Sequence, residues 1–542
     1  MIKFRKTAAV LAALLVCSAG IHDADARKVS HHTSSHASRN QIRHMSAPSR
    51  TQVRPAATSR NSAPRTAIPA VNQPARTAGG TLVGSAWSLP GRADEGSNLG
   101  LLMEPASTMK VLTAAAALTE LGRGFRFTTS LKTDAASPDR LSPGGVLNGS
   151  LVLEFGGDPT FTSEKLLAML SRLKEQGIRR IKGDIIVGTG PYSGYTRGTG
   201  WPWDDLPLCF AAPAGNVIID HNCVITKARL GRGSSNFSPA QLTEMQPVRI
   251  SFSVSPVTRE NYNAEECPMI VEPSTSNTYT VSGCFNSEIN RRKDYVQDFK
   301  FAVQDPNLWA RDILRVALRK SGISFTGDVR ARDTTGMKLK TLDTNRSAEL
   351  PVLLKHMLKF SDNLYAEAVA AAAARSFYGR TVSIRSSAQA VKRILQEKGR
   401  INFAGADLYD GSGLSSYNLI SAGTMLQVLK YIRDNDARLG MIDLLPVSGE
   451  SGTLLRRASV TTAPLKGRIM AKTGTIRHVR NLAGFVRTEN EHLVPFVIYT
   501  NAYALESSEY SLMQQENKML PHFEYERSVL RSLYEEKRPE FR

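Results

Sequence analysis

Apolar residues in this 542-residue chain come in runs of different length and period, and the polar breaks between them are as telling. Val111 to Leu118 is an apolar, alanine-rich run; Pro105 ahead of it suits a first turn and Gly122 behind it a C-cap. This predicts a helix that carries Ser107 at its N-terminus. Thr81–Leu89 reads as an early strand, and Asn481–Arg487 as a late one. Between residues 132 and 345 the pattern consists mostly of short strands broken by Gly, Pro and Asn, such as Val146–Leu153 and Ile185–Val187. Two helices interrupt it, Ser163–Gln176 and Leu308–Ser321, each bounded by Gly or Pro signals. Leu350–Phe360 and Leu364–Phe377 then predict two apolar helices around the polar break Ser361-Asp362-Asn363. A long amphipathic helix follows from Ser383 to Gly399.

The first 80 residues have a different character. Lys3, Arg5 and Lys6 precede an apolar run from Thr7 to Ala19, and Ala24-Asp25-Ala26 offers a small-x-small cleavage site. This is the pattern of a secretory signal peptide, residues 1–26, cut before Arg27. The run is too short to span a bilayer, and Leu15-Val16 is too bulky ahead of Cys17 for a lipoprotein signal. Residues 27–80 carry nine basic and no acidic side chains, with no apolar period. Such a segment cannot bury a core, so a disordered linker is expected, with His31, His32 and His36 solvated rather than metal-bound.

Charge follows the same division. The chain totals +20; removing the signal leaves +19, and removing the linker's nine leaves +10 on the body. An exported protein meets anionic lipid head groups and cell-wall polymers rather than nucleic acid, so a loosely adhering tether is the expectation. Export also favours oxidation of Cys209, Cys223, Cys267 and Cys284. Four cysteines allow three pairings; the short loops favour Cys209–Cys223 and Cys267–Cys284. Neither Cys-x-x-Cys nor His-Glu-x-x-His occurs, so neither metal nor cofactor is expected.

Chemistry enters with three short segments, Ser107-Thr108-Met109-Lys110, Ser361-Asp362-Asn363 and Lys472-Thr473-Gly474. A serine hydroxyl is a poor nucleophile until a base takes its proton. Lys110 lies three residues after Ser107, which puts both side chains on one helix face. Taken singly, each segment reads equally well as a solvated helix face, a polar break or a turn. Their order and contexts together resemble the penicillin-binding serine D-alanyl-D-alanine carboxypeptidase/endopeptidase family with a large insert between its first two motifs. Gly156-Gly157-Asp158-Pro159-Thr160, Asp410-Gly411-Ser412-Gly413-Leu414-Ser415 and Leu445–Leu454 add to the resemblance, which covers roughly residues 80 to 520.

The resemblance implies an α+β, transpeptidase-like fold: an antiparallel sheet flanked by helices, built from residues 81–131 and 346–542. Residues 132–345 would form the inserted, mostly β region, in two subdomains. It implies that Ser107 is the nucleophile, Lys110 its base and Ser361 a relay to the leaving amine, with peptidoglycan stem peptides and β-lactams as ligands. Asn363 would hold the peptide amide, Lys472 and Thr473 the terminal carboxylate, and Thr475 would complete the oxyanion site with the Ser107 N–H. Asp220 resembles an insert acid aimed at a diamino-acid side chain, although a capping Asp beside a disulfide fits the same residues. An arginine common after the Asp-Gly-Ser-Gly-Leu-Ser segment is replaced here by Ser416, which weakens the case for a diaminopimelate clamp. Trp201 and Trp203 are expected to pack rather than line a groove. A serine β-lactamase and a catalytically silent wall-binding protein are the alternatives; the long insert speaks against the first, the intact motifs against the second. The expected location is the periplasm.

Overall fold

The computed structural model describes residues 80–238, 242–259, 261–262, 266–505, 513 and 518–539. The segments read as export signal and basic linker lie outside the described residues, apart from Gly80. Among the described residues no helix is long and apolar enough to cross a membrane.

The two chain ends build one antiparallel sheet. Its strands run, edge to edge, Ile469–Ile476, Val479–Arg487, Leu493–Asn501, Leu82–Trp87 and Glu95–Ser97. Burial on both faces explains why the inner strands read as nearly continuous apolar runs. Leu482, Val486, Phe496 and Ile498 pack beneath the C-terminal helix Pro521–Tyr534, against Val529, Leu530 and Leu533. Their alternates Ala483, Phe485, Val497 and Tyr499 face a layer of helices on the other side. At the centre of that layer lies Met109–Leu121, whose apolar run is buried all round. Asn363–Tyr378 and Ile384–Glu397 pack against it.

The chain leaves this body along Thr128–Thr133 and returns along Lys340–Arg346, and these two strands pair antiparallel. They belong to a second five-stranded sheet, ordered Val329–Arg332, Ile185–Gly188, Leu151–Glu154, Thr128–Thr133 and Lys340–Arg346. Helices Ser163–Glu175 and Pro306–Ser321 pack together beside it. Beyond lie a two-stranded ribbon, Cys223–Leu230 with Tyr295–Ala302, and a three-stranded sheet centred on Tyr279–Asn286. One buried apolar cluster runs through all of these elements. Val146–Leu153, read as one strand, is two, Val146–Leu147 and Leu151–Glu154, because Asn148-Gly149-Ser150 breaks the ladder between them. Both short-loop disulfides are present, Cys209–Cys223 and Cys267–Cys284.

Candidate active site

Ser107 sits in a 3-10 turn, Ala106–Thr108, that feeds directly into the helix Met109–Leu121. The geometry delivers the expected meeting of side chains: Lys110 Nζ lies 2.9 Å from Ser107 Oγ. Lys110 Nζ also donates to Asn363 Oδ1 at 2.6 Å and to the Ser412 carbonyl at 2.7 Å. Both of these partners can only accept. A neutral lysine amine has two N–H bonds and one lone pair, so once the two acceptors are served the lone pair is left for the Ser107 hydroxyl proton. Lys110 is fully buried, and burial lowers its pKa to about 8 against the opposing charges of Asp410, Glu367 and Asp362. Desolvation frees this amine, since the charges acting on it are acidic and work the other way.

The loop that supplies the Ser412 carbonyl is held from below. Glu367 accepts the Gly411 and Ser412 N–H groups, while Asp410 accepts those of Gly413 and Ser415 and the Trp201 Nε1–H. Burial, reinforced by the charge of Asp410, pushes the Glu367 pKa up to about 8. A Cβ at Gly413, where φ is +80°, would overlap the Ala106 carbonyl, so the loop can approach the serine turn only as glycine.

Lys472-Thr473-Gly474 is not a turn. It lies inside the edge strand Ile469–Ile476, paired Lys472 to Ala483 in the neighbouring strand. A Cβ on Gly474 would come within 2.6 Å of the Pro105 carbonyl, because the serine turn rests directly on the strand there. The segment Leu445–Leu454 covers the first part of the strand's outer edge: Ala471 N–H donates to Pro446 O, and Ser448 N–H to Ile469 O. Ladder groups alternate from one side to the other, so Thr475 N–H points out of the same edge as Ala471 N–H, past the covered part. Thr473 Oγ1 donates to Thr453 Oγ1 at 3.0 Å.

Lys472 is fully buried, and its Nζ donates to Ser361 Oγ and to its neighbour's Thr473 carbonyl, both at 2.9 Å. Burial pushes its pKa well down, and the charges acting on it, Lys110 and Arg457, push the same way. This is a cationic site built with positive neighbours. Ser361 itself is the left-handed C-cap of Leu350–Phe360 (φ +59°). Asp362 caps the next helix by accepting from Tyr365 N–H.

Comparison with known proteins decides the family. The family model described as D-Ala-D-Ala carboxypeptidase 3 (S13) matches residues 96–520. The chain belongs to that family. The D-alanyl-D-alanine carboxypeptidase DacB of Haemophilus influenzae is 34% identical to this S13 peptidase over 432 residues, covering 80% of this chain and 86% of the relative. The D-alanyl-D-alanine carboxypeptidase of Actinomadura sp. is 28% identical, covering 74% and 73%. The crystal structure of penicillin binding protein 4 from Haemophilus influenzae superposes with a TM-score of 0.75 at 34% identity, covering 84% of this chain and 97% of that one. A complex of the same protein with a β-lactam gives 0.70 at 32%, over 84% and 96%. The α+β transpeptidase-like architecture with β-rich additions is therefore that of an S13 peptidase.

Other residues singled out in the sequence fare variously in this peptidase. Asp220 Oδ1 accepts the Ser163 N–H at 2.8 Å, at the start of helix Ser163–Glu175, which is the capping arrangement. Trp201 is buried against Asp410, whereas Trp203 is exposed. Ser416 donates from both its N–H and its hydroxyl to the Gly200 carbonyl, tying the segment around Gly200 to this side of the site. Nearby, burial and then the charge of Asp204 raise the Asp205 pKa to about 6, opposed by Arg477 in the turn after the Lys472 strand. Asp410, Ser412 and Thr453 lie in segments that carry the resemblance, but nothing in their spacing gives them a partner, and nothing in the sequence points to Glu367.

Proposed function

We propose that this chain is a serine DD-peptidase that removes the terminal D-alanine of peptidoglycan stem peptides through an acyl-enzyme on Ser107, and that penicillins acylate the same serine. The observation that carries this reading is the lone pair of Lys110, left over for Ser107 by two pure acceptors. Ser107 Oγ attacks the carbonyl carbon between the last two D-alanines, and Lys110 Nζ takes its proton. Thr475 N–H and Ser107 N–H receive the oxyanion. Ser361 Oγ accepts a hydrogen bond from Lys472, so its own proton can pass to the leaving amine as the C–N bond breaks. Ser361 in turn takes up the proton that Lys110 received from Ser107, and Lys110 returns to its neutral form. Lys472 and Thr473 take the substrate's free carboxylate, which supplies the counter-charge the lysine lacks. Asn363 contributes through Lys110, which its Oδ1 holds, and through its place beside the scissile amide. Water then hydrolyses the Ser107 ester. Cleavage of cross-links between D-alanine and a diamino acid extends the same chemistry. Residues 81–131 and 346–542 carry the reaction, and residues 132–345 form the insert.

Incubation with a labelled penicillin, then mass mapping of peptides, will place the label on Ser107, and Ser107→Ala will abolish it. A label that persists in the variant removes this reading.

We infer further that residues 1–26 direct export to the periplasm and that residues 27–80 act as a basic tether to anionic wall or membrane surfaces. A protein starting at Thr81 will keep its turnover of a small soluble peptide. It will bind anionic vesicles less than the longer protein does. Salt will erase the difference, since exposed charges are screened beyond about 8 Å at physiological ionic strength. Loss of turnover in the shortened protein would place residues 27–80 within the folded enzyme.

A further inference from the structure

The turn Ser361-Asp362-Asn363 is gripped by a loop from the insert, and both grips lie beside one disulfide. Residues 209–223 form a loop closed at its base by Cys209–Cys223. Next to the first cysteine, the Phe210 carbonyl accepts from Asn363 Nδ2 at 2.8 Å. Two residues before the second cysteine, His221 Nε2 meets both Asp362 carboxylate oxygens, at 2.9 and 3.1 Å. His356 reaches the same carboxylate at 3.3 Å from the catalytic body, and Tyr365 lies beside both imidazoles. Between the grips, Ala214 and Ile218 are buried in the core of the catalytic helices.

The backbone shows what it takes to present His221 this way. Asp220, His221 and Asn222 have φ of +50°, +60° and +46°, three consecutive left-handed residues, none of them glycine. Asp, His and Asn enter this region more readily than other side chains, but as single residues, and three in succession persist only where the surroundings impose them. They do so here. Asn222 accepts the Ile219 N–H and donates to the Pro213 and Val217 carbonyls, while Trp309 donates to Ile219 O. Asp220 is anchored on Ser163. Strain held by that many bonds, with a side chain at its peak aimed at a motif aspartate, marks a functional position rather than an idle loop.

We propose that His221 is a positioning residue for the acylation of Ser107: the disulfide-closed loop 209–223 clamps Asp362 through His221 and Asn363 through Phe210. Through Asn363 the clamp reaches Lys110, whose Nζ bonds Asn363 Oδ1; through Asp362 it sets the neighbouring Ser361 hydroxyl. The inference rests on the reading of Ser107 and Lys110 as the acylating pair. Burial works against charge on His221, but the Asp362 carboxylate and their hydrogen bond outweigh it and raise its pKa. The Asp362 carboxyl is held well below the usual range, because His221, His356 and the Tyr365 N–H together overcome its burial. Both shifts favour the charged forms, a carboxylate facing an imidazolium across hydrogen bonds of 2.9 and 3.1 Å.

The test measures the second-order rate of acylation by a labelled penicillin, per titratable site, so that misfolded molecules do not count. His221→Ala is expected to lower that rate about 10- to 100-fold, the scale of a small misplacement of reacting groups. His221→Arg, which restores a cation that can donate to Asp362, should recover it to within about threefold. Asp362→Asn keeps an oxygen to cap the helix and loses the charge, so it should reproduce the His221→Ala loss. The double variant, His221→Ala combined with Asp362→Asn, should then lose no more than either single one. An unchanged rate in His221→Ala, no recovery in His221→Arg, or losses that multiply in the double variant would each overturn the clamp. Wild-type protein that takes no label at all would instead overturn the acylating pair itself. If His221→Ala fails to fold, His221→Gln, which keeps one donor but no charge, is read against His221→Arg by the same criteria.

Discussion

Acylation of Ser107 by penicillin will fall by about 10²- to 10⁴-fold when Lys110 is replaced by alanine, the range expected for loss of a general base. Lys110→Arg will fare no better, because a guanidinium stays protonated at any pH the protein survives. The wild-type rate will carry the mark of the buried amine. With its pKa lowered from 10.5 to about 8, half of the Lys110 side chains are neutral at pH 8. That is roughly 150-fold more neutral amine than an ordinary lysine would offer there. The base is the deprotonated form, so the rate should rise tenfold per pH unit below about 8 and level off above it. A rate that is flat from pH 6 to 9, or one that survives Lys110→Ala, would show that another group takes the serine proton.

Lys472→Ala should separate two substrates. Hydrolysis of a peptide ending in D-Ala-D-Ala should lose about 10²- to 10³-fold in kcat/KM, the scale for stripping a buried carboxylate of its cation. A neutral ester with the same acyl group has no carboxylate to place and should lose less than tenfold. Some loss on the ester is expected, since Lys472 also donates to Ser361 Oγ. Equal losses on both substrates would confine Lys472 to orienting Ser361 and leave the carboxylate site to be sought elsewhere.

What is legible in the sequence is local. Pro105, the alanine run and Gly122 bound the helix that brings Lys110 onto Ser107, because one helical turn fixes the distance between positions three apart. The short-loop disulfides are legible for a similar reason, their partners standing only 14 and 17 positions apart. The rest of the site depends on contacts between remote segments. Asn363 and Ser412 reach Lys110 across 253 and 302 residues, and no period or spacing encodes that. The lysine's depressed pKa is illegible for the same reason: its charged neighbours are acids contributed by distant segments, and burial outweighs them. Lys472-Thr473-Gly474 looks like a turn because glycine follows two polar residues. It forms a strand because Gly474 lets the serine turn lie flat on the sheet edge. His221 gives no signal in isolation, since its meaning depends on Asp362, 141 residues further on.

Among the described residues the first strand, Leu82–Trp87, lies between Glu95–Ser97 and the last strand, Leu493–Asn501. A nascent chain therefore holds Ser107 and Lys110 hundreds of residues before it owns the floor on which they rest. Until Asn501 has been made, the early strand keeps an unpaired edge open to wrong partners, a hazard for any sheet and a long-lived one at this sequence separation. The same order of assembly acts as a safeguard. Lys472 and Thr475 arrive only with the closing strands, so, on the roles proposed for them, a chain stopped short would be inert rather than partly active, and a wall hydrolase would not begin work before it is finished.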